Sequence, residues 1–583
     1  MTGATEKADN PFIDRLPGQS TDRWLPWVLA VAVVFVLLYQ LGGAALFEPD
    51  EGRNSEKARE ILVLNDWVTP HENFHPVLDK PMFFYWLIAL SFKIFGVHEW
   101  AARLPSALAA LGCVLLVYCF ARARWGRWEA MWSALLLLTS TQFFILARVV
   151  IFDMTLTFLQ TVALWAFYEA AHSDNAHRRR NLCMIMYLAL GGGTLIKGLI
   201  GVVIPGMIVF FYILLLRRWQ ILRKLYPIPG ALLFLAVVSP WYLQADARNA
   251  GYLSYYIWTE HFGRYTSANF DRSEPWYYFI FVALIGFFPW TPLLPFVAKE
   301  YWKKKLDDKT VFLIVWAALP FIFFSASKSK LPHYILPIFP ALSILAATTL
   351  VRMVHQSGAR LRSVLSTMWS LQALNALYLG AGSLYPGILP SQIRDGVGNM
   401  AQWVWFFAAF SIFMLGYTVM WKPPHGVTSH RRLYLVQGFA AVVFVAFLAQ
   451  MMISISPERS SRVIAETARS HITPTTQLVF YDTYLESMAF YLRAERPVWV
   501  ITSGKKKRTF LGNYYALGKR ADPLTPWGKA LFNFDEFRRQ WKSTDRPLLV
   551  VVKEKNLPRL AENVGEKLER LAAINEYILV SKR

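Results

Sequence analysis

The sequence predicts a polytopic α-helical membrane protein that ends in a small α/β domain. Three observations carry this: the composition, a series of long apolar stretches, and a change of character after Pro457. Of 583 residues, 55% are hydrophobic and only 17% are charged, and the mean hydropathy is +0.31. A soluble domain carries about 25% charged residues. This much apolar surface exceeds what a water-exposed core can bury, so part of the solvent is lipid.

A membrane helix needs about 20 mostly apolar residues. Thirteen stretches qualify, near 24–47, 103–121, 130–147, 153–171, 182–196, 198–216, 229–245, 275–298, 311–326, 332–351, 364–383, 400–421 and 433–453. Residues 1–23 are polar, contain Pro11 and Pro17, and lack a short apolar run with a small-residue cleavage site. The first apolar stretch therefore reads as a retained span and 1–23 as a cytoplasmic segment. One further stretch, 82–96, is ambiguous, and charge decides it. If 82–96 does not span, the inner loops carry 21 Lys and Arg residues, while the outer loops from 148 to 399 carry 8. If it spans, that asymmetry inverts and breaks the positive-inside rule. We therefore expect 82–96 to be an interfacial or re-entrant helix within an outer segment, 48–102, and 24–456 to form the membrane domain.

The tail 457–583 alternates strand-like runs (Gln477–Asp482, Pro497–Thr502, Leu548–Lys553, Tyr577–Val580) with helical ones (Phe534–Trp541, Leu557–Leu571). That pattern predicts an outer, periplasmic α/β domain. It contains no phosphate loop, GxGxxG or nucleophile elbow, so a lid or scaffold role is expected. The net charge of +22 comes from basic residues between apolar spans, which excludes a nucleic-acid partner in favour of membrane lipid. Cys113, Cys119 and Cys183 lie in apolar segments without CxxC spacing, so neither a disulfide framework nor a zinc site is expected.

The chemistry-bearing residues gather on the predicted outer side. The loop 48–81 holds eight acidic residues, among them Glu48, Asp50, Glu51, Glu72 and Asp79, and four basic ones, Arg53, Lys57, Arg59 and Lys80. Residues 51–64 have helical composition, with Asp50 near the start. Asp153 sits at the outer end of an apolar helix, and Lys197 lies between two apolar half-runs. The loop 246–275 adds Glu260, His261, Arg264 and Tyr265, and 325–334 adds Lys328, Lys330, His333 and Tyr334. Each has a bland alternative: Asp153 as a helix cap, Lys197 snorkelling to the interface, His261 as a packed histidine. Their convergence at one membrane boundary favours function. Lys and Arg suit the phosphate of a lipid-linked donor, and carboxylates suit a base or an oxocarbenium-like sugar. No DxD nucleotide-sugar signature is present, so a polyprenyl-phosphate sugar is the expected donor. A secondary transporter is the competing class, but it places charges at the midplane and often shows inverted repeats. Here the charges sit at helix ends, and no repeat is detectable.

The run EPDEGRNSEKAREILVLNDWVTPH…DKPMFFYW, then AARLPSALAA, resembles the aminoarabinose transferases of Gram-negative bacteria, within the protein-mannosyltransferase-like GT-C membrane glycosyltransferases. LIKGLIGVVIP, WTEHFGRYTSANFDRSEPWYYF, FFPWTPLLP and SASKSKLPHYILPIFPAL continue the resemblance, which covers roughly 20–350. It implies a GT-C fold of thirteen spans, outer juxtamembrane helices and a periplasmic C-terminal domain. It also implies transfer of 4-amino-4-deoxy-L-arabinose from undecaprenyl phosphate to a phosphate of lipid A. By motif, Asp50 is the first-loop acidic residue, Lys80 the KP-motif lysine and Asp153 the second outer-loop aspartate. Lys197, Glu260, His261, Arg264, Lys330 and Tyr334 lie in matching motifs. Two places depart from the pattern: DKP where EKP is usual, and DEGRN where DETRY is. A protein O-mannosyltransferase shares much of it and is the alternative. For catalysis we expect Asp50 and Asp153, and for the donor phosphate Lys80 and Arg264. No cofactor is expected to be required. A divalent metal held by Asp50, Glu51 and Asp153 is the alternative to the Lys80 charge, with His261 or Glu260 as occasional ligands.

Overall fold

The computed structural model describes residues 25–263, 274–302, 306–356, 358–391, 393–421, 427–502, 529–566 and 568–582. The chain begins with α1 (Leu25–Leu38), α2 (Asp50–Leu64), α3 (Phe83–Phe95) and α4 (Glu99–Arg124). It continues through α5 (Arg127–Thr139), α6 (Thr141–Ala147), α7 (Phe152–Ala171), α8 (Ala176–Lys197) and α9 (Ile200–Leu216). The later long helices are Pro227–Arg248, Asp308–Ala326, Phe339–Gln356, Gly358–Leu384, Ala401–Met420 and Val427–Ile455. Each of the thirteen predicted stretches falls on a helix or a bent helix pair. Among the described residues, six helices are long and apolar enough to cross a membrane, or up to eight if each bent pair is one span. The others are short, like α9 with 17 residues, or carry charge, like α8 with its opening arginine run.

Both bends have local causes. At Ser140 the backbone turns extended, and the N–H and hydroxyl of Thr141 both donate to the Phe288 carbonyl, so α5 and α6 meet at 67°. The predicted 275–298 span breaks by 113° between Tyr278–Gly286 and Thr291–Trp302. Pro289 lies in that break and Pro292 in the first turn after it, and neither has the N–H group a continuous helix needs.

The placement of 82–96 follows from one side chain. Arg103, near the start of α4, donates to the carbonyls of Leu41, Ala44 and Ala45, just after α1. The chain therefore leaves α1 and enters α4 at the same end, and no single pass fits between. α3 packs beside α2 and α4 and touches the C-terminal domain through Phe92 and Phe490. At the opposite end, the loops predicted as inner are tied together by Arg124–Glu169 (2.6 Å), Arg218–Asp308 (2.5 Å) and Arg352–Glu300 (2.9 Å).

The C-terminal strands are β3 (Gln477–Tyr481), β4 (Trp499–Ile501), β5 (Leu531–Phe532), β6 (Leu548–Lys553), β7 (Glu569–Ile574) and β8 (Tyr577–Lys582); β1 (His71–Glu72) and β2 (His75–Pro76) form a hairpin in the first loop. The six-stranded sheet has the order β5-β4-β3-β6-β8-β7, parallel except at β8 and β7. β3 and β6 are buried on both faces, which is why they read as continuous apolar runs. Val479, Val550 and Val552 face helices Phe534–Ser543 and Leu557–Val564, against Phe537, Trp541 and Leu560. Leu478, Phe480, Leu549 and Val551 face the other way and share a core with Ile61, Phe84 and Phe92 of α2 and α3. Strand periodicity of two thus fastens the domain to the first loop.

One sequence expectation fails here. The helix predicted over 557–571 stops at Val564, where Gly565 takes a left-handed φ of 74°. Residues 569–574 instead form the edge strand β7, whose charged, exposed face conceals its pairing with β8.

Arg103 is 1% exposed and Glu51 accepts from it twice, so removing either leaves a buried charge alone. Arg103→Ala should cost about 3–5 kcal/mol and sharply lower the melting temperature in detergent. A melting temperature equal to the wild type would show that the pair does not hold this end together.

Candidate active site

A cavity of about 450 Å³ opens between the first-loop helices and the membrane helices. Its lining is mixed: polar and charged side chains, Asp50 and Arg53 from α2, Asp79 and Lys80 before α3, Asp153, Lys197, Glu260 and His333, lie together with the apolar Leu156, Leu199, Ile200, Val203, Phe323, Phe324 and Pro337.

Local structure explains each placement. Asp50 and Asp153 sit in the first turns of α2 and α7, and Lys197 in the last turn of α8. The α8–α9 corner is tight because Gly201 lies on Gly193, where a Cβ would come within 2.2 Å of a backbone carbon. Glu260 belongs to a π-helical segment, Tyr255–Gly263, a rare geometry concentrated at functional sites. Tyr255 donates its hydroxyl to Glu260 at 2.9 Å.

The bland alternatives for Asp153 and Lys197 do not hold. Asp153 caps no backbone group; it meets Lys197 at 2.6 Å and His333 at 3.6 Å, and the Lys197 ammonium lies 4.7 Å from the Tyr334 ring centre. Lys80 lies 3.9 Å from Glu260 and donates to the Asp79 carbonyl. Asp79 pairs with buried Lys57 at 3.0 Å, whose charge holds the Asp79 carboxyl well below its ordinary range despite burial. Asp50 has the most open carboxylate, 55% exposed and 3.7 Å from Arg53.

Asp50, Lys80, Asp153, Lys197, Glu260 and Tyr334 thus share the cavity. Two expected residues do not line it. Glu51 points away into its pair with Arg103, and Lys330 donates to the carbonyls of Ser327 and Glu274. The side chain of His261 and all of Arg264 lie outside the described residues. The sequence places Arg53, Asp79 and His333 among the charged residues of the outer loops without giving them a site role, and it does not single out Asn54 or Tyr256. Arg53 had a signal, since it lies three residues from Asp50 on the same helix face. The metal alternative fits poorly: Glu51 is committed to Arg103 and Asp153 to Lys197. Among the described residues, no group of three His, Cys, Asp or Glu is arranged to hold an ion.

A helical membrane bundle with juxtamembrane helices, a boundary cavity and a docked α/β domain is the GT-C type of membrane glycosyltransferase fold. The chain matches the crystal structure of ArnT from Cupriavidus metallidurans bound to undecaprenyl phosphate with a TM-score of 0.80 and 26% identity, over 96% of this chain and 98% of that one. The apo state of that protein gives 0.77. A family model described as dolichyl-phosphate-mannose-protein mannosyltransferase matches residues 79–243. Among curated relatives, the undecaprenyl phosphate-alpha-4-amino-4-deoxy-L-arabinose arabinosyl transferase of Edwardsiella ictaluri is 34% identical over 336 residues, 57% of this chain and 61% of its own length. That of Pseudomonas aeruginosa is 32% identical over 356 residues, covering 60% and 64%. The match therefore spans about three fifths of these relatives' length. The resemblance read from the sequence is borne out, and the chain is a multi-pass membrane protein with the fold of the aminoarabinose transferase structures.

Beside the cavity, Glu48 accepts from the backbone N–H groups of Glu486 and Ser487 and from the Ser487 hydroxyl, at 3.1, 2.8 and 2.6 Å. Burial outweighs these bonds and pushes its pKa up to about 7; burial also raises Glu60 and Glu486. An acid whose pKa rises on folding holds its proton more tightly when folded. Its stabilisation is complete below the unfolded pKa and is lost as pH climbs through the folded one. The melting temperature should therefore fall between about pH 5 and about pH 8, by at most about 1.4 kcal/mol of stability per pH unit per proton. Glu48→Gln should flatten that slope. Equal slopes in the two proteins would remove Glu48 from the account.

Proposed function

We propose that the protein transfers 4-amino-4-deoxy-L-arabinose from undecaprenyl phosphate to a phosphate of lipid A, at the periplasmic face of the bacterial inner membrane. The observation that supports this most directly is the mixed lining of the cavity. Its apolar residues suit a polyprenyl chain arriving from the bilayer, and its charged residues suit the phosphate and sugar. The charge asymmetry of the loops supports the periplasmic orientation.

In this reading Lys80, which lines the cavity 3.9 Å from Glu260, and Arg264 contact the donor phosphate and offset the charge that develops on it as the glycosidic bond breaks. Asp153, steadied by Lys197 and His333, supports the sugar side. Asp50 orients the acceptor or the sugar's amine, or stabilises positive charge developing on the sugar. A lipid A phosphate is already an anion and needs no strong general base. Its oxygen attacks the anomeric carbon as the bond to undecaprenyl phosphate breaks, and a single displacement inverts that carbon. The ammonium of Lys80 supplies the charge that a metal would otherwise bring, so the reaction is metal-independent.

The test is reconstitution with undecaprenyl-phospho-aminoarabinose and lipid A, followed by mass spectrometry with and without EDTA. We expect product in both, and a fall of about 10²–10³ in rate for Lys80→Ala and for Asp153→Asn, with melting temperatures retained. Normal activity in either variant would remove its role. Turnover of a polyprenyl-phosphate hexose alone would keep the fold, replace the donor and favour a protein O-mannosyltransferase.

A further inference from the structure

We infer that the C-terminal domain carries a second binding site, for a sugar phosphate, at the crossover between β3 and β6. This goes beyond the reaction proposed for the membrane cavity and does not rest on it. The two cavities share no lining residue.

Topology supplies the place. From β3 the chain steps outward to β4 and then β5, and returns across β3 to add β6 on its other side. The loops leaving β3 and β6 therefore depart in opposite directions and leave a crevice between them. In open α/β sheets, ligands settle at such a switch point, outside the carboxyl ends of the strands. A cavity of about 440 Å³ lies there, within the roughly 300–1,000 Å³ usual for small-molecule sites. Asp482 and Thr483 line it from the end of β3, and Lys553, Lys555 and Asn556 from the end of β6.

The side chains supply the class of ligand. Asp482 is held in the left-handed region, with φ 49°, and the Asn556 amide lies 3.4 Å from its carboxylate. A carboxylate beside an amide can accept from and donate to neighbouring sugar hydroxyls. Tyr577 adds an aromatic side chain at the cavity; the Lys553 ammonium lies over its ring, 5.3 Å from the centre, so a sugar ring packs against the part of Tyr577 left uncovered. Lys553 is neutralised by Glu576 at 2.5 Å. Lys555 is exposed, with no ion-pair partner among the described residues, and leaves one positive charge for an anion. Hydroxyl partners, an aromatic side chain and one spare ammonium together specify a sugar carrying a phosphate, either free or as a glycolipid headgroup.

Calorimetry on the full chain in detergent tests this, with glucose 1-phosphate, glucose and inorganic phosphate as probes. We expect saturable binding of glucose 1-phosphate, and at least tenfold weaker binding of either half alone. Lys555→Ala should weaken it about tenfold, or about 1.4 kcal/mol, with no change in melting temperature because Lys555 is exposed. Asn556→Ala should weaken it too, and Lys80→Ala should leave it unchanged. Displacement by lipid A micelles would identify a lipid headgroup as the source, and indifference to them a soluble sugar phosphate; both sustain the site. Absence of saturable binding would overturn it. So would binding that survives Lys555→Ala and Asn556→Ala but disappears in Lys80→Ala, since the membrane cavity would then be the binder.

Discussion

A single buried ion pair governs the end of this molecule that holds the cavity. A guanidinium has five N–H donors and a carboxylate about four acceptor sites. Arg103 spends its donors on Glu51 twice and on the carbonyls of Leu41, Ala44 and Ala45. Glu51 also accepts from the backbone N–H groups of Phe47 and Val150. A buried pair is weak evidence for stability when its other sites are empty; here they are filled. Four separate pieces of chain converge on it: the exit of α1, the first turn of α2, the entry of α4 and the approach to α7. Arg148 repeats the device, donating to the carbonyls of Val36, Leu37, Tyr39 and Gln40 where α1 ends. Carbonyls at a helix C-terminus lack intrahelical partners, and here an arginine from another segment satisfies them.

That anchorage decides what the cavity can do. Successive residues on a helix point about 100° apart. With Glu51 fastened inward, Asp50 must point elsewhere, and it faces the cavity with the most open carboxylate there. The other ion pairs of the lining are graded. The Asp153–Lys197 contact is the shorter, at 2.6 Å, and the Glu260–Lys80 contact the longer, at 3.9 Å. In the reaction proposed above, an incoming phosphate competes with the longer Lys80–Glu260 contact and not with the shorter Asp153–Lys197 pair.

The membrane architecture was legible because periodicity and charge are collective signals, and thirteen stretches survived the shift of any single edge. The non-spanning character of 82–96 was legible for the same reason, since it rested on 21 cations against 8. Individual roles were harder to read. Asp50 and Glu51 look alike in sequence, yet only the partner across the fold, 52 positions away, separates a cavity residue from an anchor. Lys330 sits in the motif with Tyr334, but backbone carbonyls take its ammonium. β7 was hidden because an edge strand with charged, exposed residues has helical composition. The departures from the family pattern make local sense. Gly52 lets helix Glu486–Leu492 approach α2, since a Cβ there would meet Ser487 at 2.5 Å, and Asn54 bonds the Val150 carbonyl. The Asp in DKP is the partner of Lys57.

Those substitutions show why the C-terminal domain belongs to the site and not beside it. Gly52 admits the helix that carries Glu486, and Glu486 holds Arg53 at 2.5 Å. Arg53 lines the cavity next to Asp50. Glu48 closes the loop by accepting from the first backbone N–H groups of that same helix. The orientation of a cavity cation is thus set by a residue more than 400 positions away, through a contact that requires glycine on one side and a carboxylate on each. A domain docked only for stability would need the shared apolar core of Phe480, Val551 and Ile61 and nothing more. The polar contacts add register: they fix how α2 is rotated beneath the domain, and with it where Asp50 and Arg53 point.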